Sequence, residues 1–84
     1  MRPFRIFYRV ERTIRELARG ARVQIVSLGT EGTLAERLRA LGLGEGARVV
    51  LLQVSARKRV YYVRTGSTVV ALGAETAGMI GVRA

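Results

Sequence analysis

Thr33-Leu34-Ala35-Glu36-Arg37-Leu38-Arg39-Ala40-Leu41-Gly42-Leu43-Gly44-Glu45-Gly46 is the stretch that decides how this chain folds. Thr33 and Glu36 have the Thr-x-x-Glu spacing of a capping box, in which each side chain satisfies a backbone N–H near a helix start. Leu34, Leu38 and Leu41 recur at four and three residues, so they share one face that can dock on a sheet. Gly42 follows the last of them, where a left-handed C-cap suits a residue without a β-carbon. Glu45-Gly46 then turns the chain into residues 48–54, a run apolar on both faces that predicts a central strand. The stretch therefore predicts one short capped helix over residues 33–41, delivered through glycines into a strand.

Outward from this helix the chain reads as short strands separated by turns. Upstream, Thr13-Ile14-Arg15-Glu16 repeats the capping-box spacing and predicts a turn or two of helix ending at Gly20. Residues 23–28 read as a strand, broken by residues 29–32. Downstream, residues 55–58 are a polar link into a strand over 59–64, predicting a hairpin with Arg57, Lys58 and Arg59 at its tip. Tyr61 and Tyr62 point to opposite faces of that strand, one to the core and one partly to solvent. Thr65-Gly66-Ser67 is the next turn, residues 68–72 the next strand, 73–78 a loop or single helical turn, and 79–82 the closing strand. Five strands at this spacing predict a mainly β fold, a small closed barrel with the capped helix inserted. Closure would leave no exposed edge.

Residues 1–12 stand apart as a basic extension before a domain over 13–84. As a strand, Phe4, Ile6, Tyr8 and Val10 share one face. As a helix, Arg2, Arg5, Arg9 and Arg12 lie opposite Ile6, Phe7 and Val10, a pattern suited to an anionic membrane surface. Both periodicities fit the residues and Pro3 suits either start; an added edge strand or a frayed tail is expected ahead of the membrane-binding helix.

Composition excludes several functions. The 84 residues include no His, no Cys and no Asp, and the acidic side chains are Glu11, Glu16, Glu31, Glu36, Glu45 and Glu75. Cys–His and Ser–His nucleophilic pairs lack their partners, so no catalytic residue is expected and the chain does not read as an enzyme. Transition metals prefer Cys and His, so no cofactor and no tight metal site are expected either. One small domain is implied, burying roughly 60–65% of its unfolded surface. No apolar run approaches the ~20 residues that span a bilayer, and Arg5 and Arg9 interrupt any secretory signal. A cytoplasmic protein is expected. Fifteen Lys and Arg against six Glu leave +9, and fourteen of the fifteen are Arg. That balance attracts polyanions, anionic membranes or an acidic protein. Equally, scattered cations of this kind make a solvated surface.

Ile14-Arg15-Glu16-Leu17 with Gly20, then Val23-x-Ile25, resembles the opening of FeoA-type proteins. Arg37-Leu38-x-x-Leu41-Gly42-Leu43-x-x-Gly46-x-x-Val49 resembles the most specific signature of that family, and Ala71-Leu72, Ala77, Ile80 and Val82 its closing segment. The resemblance covers about residues 13–83 and implies an SH3-like β-barrel with an inserted helix. It also implies a cytosolic accessory of the ferrous-iron transporter FeoB, a membrane protein with a GTPase domain. Related domains end metal-dependent transcriptional repressors. Where the family commonly has a basic residue after the Ala-Leu pair, this chain has Gly73.

The candidate partner-binding residues are Arg37 and Arg39, off the leucine stripe, and Arg57, Lys58 and Arg59, the densest basic group. The expected partner is an acidic patch on the transporter's cytosolic GTPase domain. The same charge could hold the module at the inner membrane face, where each nearby cation contributes ~1 kcal/mol. No specific nucleic acid is expected, although an exposed Tyr61 or Tyr62 beside Arg59 would suit a nucleic-acid-binding barrel. A detached metal-sensing domain is a third reading, disfavoured by the missing ligand types. Self-association as a homo-oligomer is compatible with all three.

Overall fold

The computed structural model describes residues 12–84. The strand-or-helix alternatives for residues 1–12 fall, apart from Arg12, outside the described residues. Its elements run β1 (Arg12–Thr13), a 3₁₀ turn (Ile14–Glu16), β2 (Arg22–Ser27), α1 (Gly32–Ala40), β3 (Arg48–Val54), a second 3₁₀ turn (Ala56–Lys58), β4 (Val60–Thr65), β5 (Thr68–Gly73), α2 (Ala74–Ala77) and β6 (Gly81–Arg83). All strand pairs are antiparallel, in the order β1-β6-β2-β3-β4-β5. The mainly β architecture with an inserted helix is as expected, with β3 central.

Two features of the sheet differ from the sequence reading. A sixth strand is present, because Arg12 and Thr13 pair with Val82 and Gly81. The ladder is also open among the described residues, with β1 and β5 as its edges. Between those edges, α2 packs on β4, β5 and the turn at Ile14–Glu16. Local helical pieces thus fill space that a further hydrogen-bonded pair would have closed. Register shifts between Ile25 and Ser27 and between Leu51 and Gln53 mark bulges. Bulges bend a strand, which lets this sheet wrap one core.

That core unites Ile25, Leu51, Val63, Leu72 and Val82 from five strands and Ile80 just before β6 with Ala35, Leu38 and Leu43 from the helix and its exit. The inner strands β2, β3 and β4 bury alternate side chains, as the pleat requires: β4 hides Tyr61 and Val63 and exposes Tyr62 and Arg64.

The helix is where it was expected, but its caps are not. It starts at Gly32, whose φ of +70° turns the chain inward, and no side-chain hydrogen bond caps it at Glu31. Thr33 therefore lies inside the first turn, and the box with Glu36 is not its cap. The other box is realised: the Thr13 side chain faces the Glu16 backbone N–H, and Glu16 Oε1 accepts the Thr13 N–H at 3.0 Å. It opens a single 3₁₀ turn, since Leu17 is already extended.

At its C-terminus the helix closes as a Schellman motif. The Leu43 N–H donates to the Leu38 carbonyl at 2.8 Å and the Gly42 N–H to the Arg39 carbonyl at 3.0 Å, with Gly42 at φ +90°. This reversal revises the leucine stripe. Leu38 is buried and Leu34 half-buried, but Leu41 is 46% exposed and Leu43 takes the core position beyond the turn.

Candidate functional site

The hairpin tip is where the sequence placed it, but its backbone is unusual. β3 and β4 pair, and the Ser55 N–H donates to the Val60 carbonyl at 2.9 Å. Ser55 organises the loop beyond that pair. Its carbonyl accepts the Lys58 N–H at 2.9 Å, and its Oγ accepts the N–H groups of Arg59 at 3.2 Å and Val60 at 2.9 Å. Within this turn Arg57 has φ +69° and Lys58 φ +55°. Left-handed backbone disfavours any residue with a β-carbon, by ~1–2 kcal/mol each. The remaining positive-φ residues among those described are all glycines. Strain of this kind persists only where the surroundings impose it, and it clusters at functional sites.

Arg57 and Lys58 line a cleft of about 500 Å³ with Arg15, Arg19, Gln53, Ser55, Leu17, Ala18, Val54 and Tyr61. The first turn arrives there because the ladder between β2 and β3 continues past Arg22. The Leu51 N–H donates to Ala21 at 2.9 Å and the Gly20 N–H to Leu51 at 2.7 Å. Residues 15–19 are thereby laid beside the far end of β3. Four cations and no carboxylate line the cleft. Glu16, next to Arg15 in the chain, folds back onto the Thr13 backbone. The site is a basic trough with an apolar floor, suited to binding an anion rather than to proton transfer.

The five sequence-derived residues do not form one surface. Arg37 and Arg39 sit exposed on α1, near the start of β3, while the tip lies beyond its end. Seven residues at about 3.3 Å per residue put the two sets roughly 20 Å apart. Arg39 is also engaged: Nε and Nη2 donate to the two carboxylate oxygens of Glu45 at 3.1 and 3.0 Å. The hydrogen bond from Arg39 lowers the Glu45 carboxyl below its ordinary pKa, and the same bond raises that of Arg39. Arg59 does not line the cleft; its carbonyl accepts the Ala74 N–H at 3.0 Å and ties the tip to α2. Arg57, Lys58 and Arg59 form no ion pair among the described residues.

Sequence reasoning missed Arg15 and Arg19. The one local hint was the Thr13–Glu16 box, which directs Glu16 backward; that both arginines meet the tip follows from the β2–β3 ladder. Among the described residues no three His, Cys, Asp or Glu side chains gather as a metal site. No helix among them is long and apolar enough to cross a membrane. Tyr62 is 36% exposed and pairs with Gln53 and Ala71, so among the described residues neither of its cross-strand partners is aromatic.

The sequence matches the FeoA domain family over residues 12–84, and no curated protein matches it. Its fold is similar to the solution structure of the FeoA protein from Chlorobium tepidum, with a TM-score of 0.78 and 26% identity over 83% of this chain and 67% of that one. It is similar also to iron(II) transport protein A from Clostridium thermocellum, with a TM-score of 0.78 and 24% identity over 83% of this chain and 43% of that protein. The metal-dependent transcriptional regulator MtsR shares the fold, with a TM-score of 0.76 and 16% identity over 87% of this chain and 36% of its own.

Proposed function

This chain belongs to the FeoA domain family, which is associated with ferrous iron transport, and on that premise we propose that it is a non-enzymatic accessory module of a FeoB-type transporter. It works at the cytoplasmic face and docks by protein–protein contact on an acidic patch of the transporter's GTPase domain. One observation supports this most: the tip holds Arg57 and Lys58 in strained left-handed backbone, exposed and without ion pairs among the described residues. A solvated turn would be cheaper with Asn or Gly at those positions. Cations placed there steer an acidic partner through the long-range field and add little to holding it. A net charge of +9 supports the same encounter and favours residence at anionic lipid.

The test is interferometry of the full chain on the transporter's cytosolic domain. Arg57→Glu with Arg59→Glu is expected to slow association by about ten-fold at low salt, within the one to three decades that related complexes span. The fold should persist, since both side chains are exposed. Absence of wild-type binding to that domain and to intact transporter, with unchanged iron uptake in a strain lacking this protein, would refute the proposal.

A further inference from the structure

We infer that the trough between residues 15–19 and the hairpin tip is a groove for an extended acidic peptide segment, with an apolar side chain of that segment laid on Leu17, Val54 and Tyr61. Only the owner of the segment, the transporter's cytosolic domain, rests on the functional reading above.

Three observations carry the inference. The groove is bounded by Arg15 and Arg19 from one segment and by Arg57 and Lys58 from the other, with no acid among its lining residues. Carboxylates spaced along an extended chain reach both pairs, and the Arg guanidinium fork matches a carboxylate in geometry as well as charge.

Tyr61 also lines the groove, is 2% exposed, and its hydroxyl makes no hydrogen bond among the described residues. A buried Tyr O–H normally has a partner. A peptide carbonyl or carboxylate oxygen in the groove would supply the missing acceptor.

Three backbone N–H groups of the tip, finally, are already committed. Phosphate sites in loops use free backbone N–H groups, whereas those of Lys58, Arg59 and Val60 are all engaged by Ser55. Recognition falls to side chains, which favours carboxylates on a peptide over a phosphorylated small molecule or a lipid headgroup.

The experiment is fluorescence anisotropy of the full chain with a fluorescein-labelled octapeptide alternating glutamate and leucine. Arg19→Glu should weaken binding about ten-fold, equivalent to ~1.4 kcal/mol. Tyr61→Phe, which keeps the ring and removes only the hydroxyl, should weaken it several-fold at unchanged melting temperature. Arg48→Glu and Arg83→Glu make the same change in net charge at exposed residues that do not line the groove and should leave affinity within about two-fold, because salt screens exposed charges that make no direct contact.

Equal losses for all three reversals would overturn the inference in favour of a diffuse field. So would displacement of the peptide by inorganic phosphate, or groove-dependent binding of phosphatidylglycerol vesicles without peptide binding. If the transporter domain binds, survives Arg19→Glu and is not displaced by the peptide, the groove is refuted while the accessory role stands. If the peptide binds as described and the transporter domain does not, the groove stands and the accessory role fails.

Discussion

The two ends of the β3–β4 hairpin solve the same backbone problem with opposite residues. At the end near α1 the chain must turn through left-handed backbone, and Gly42 and Gly46 occupy those positions at φ +90° and +91°. The turn is completed by the Schellman bonds and by the Thr65 hydroxyl, which donates to the Gly42 carbonyl at 2.8 Å. At the tip the left-handed positions hold Arg57 and Lys58, restrained by Ser55. Where packing alone decides, the residue type minimises strain. Where charge must be presented, strain is tolerated. On the function proposed above, the difference separates a structural end from a binding end within one hairpin.

The largest expected effect lies at the structural end. Leu38 is 2% exposed and packs beneath the helix exit, so Leu38→Ala should cost ~2–5 kcal/mol in denaturant unfolding, with the transferred methyl groups and the cavity both contributing. A loss under about 1 kcal/mol would mean that this end collapses easily and is not the rigid one.

Gly42→Ala comes next. A β-carbon there would stand 3.2 Å from Thr65 Oγ1 in left-handed backbone, and a loss above ~1 kcal/mol in melting experiments is expected. Arg57→Gly is the mirror experiment, and its sign is reversed. Relief of the left-handed strain should stabilise the fold by up to ~1 kcal/mol, partly offset by glycine's greater unfolded-state entropy, while partner affinity falls. If Arg57→Gly destabilised the protein, the tip would not be strained and the comparison would break.

The smallest effect concerns the Arg39–Glu45 pair, whose side chains are about half exposed. Its hydrogen bond depresses the Glu45 pKa in the folded state. The associated stabilisation is therefore present above the ordinary carboxylate pKa and is lost as pH falls through the lower folded value. Titration of Glu45 followed by NMR should show a midpoint below the usual carboxylate range, moving up in Arg39→Gln. An unmoved midpoint would mean that Arg39 is as free to meet a partner as the tip cations.

Local pattern determined much of this protein. Strand periodicity placed β3 at Arg48–Val54, the glycine after Leu41 placed the helix end, and the polar link at 55–58 placed the tip. Each of those follows from neighbours within about one turn or one pleat. Tertiary structure decided the rest. Leu41 and Leu43 are both apolar and adjacent to Gly42, and only the reversal of the Schellman turn sends Leu43 inward and leaves Leu41 in solvent. Arg12 ends a segment that reads equally as strand or helix and Thr13 opens a capping box, and they become β1 because β6 offers them a ladder. Arg15 and Arg19 lie about forty residues from Arg57 in the chain. They meet it because the bonds joining Gly20 and Ala21 to Leu51 extend one ladder to the hairpin tip. Backbone pairing between distant segments obeys shape and register, which no single stretch of sequence contains, so the groove exists only in the folded chain.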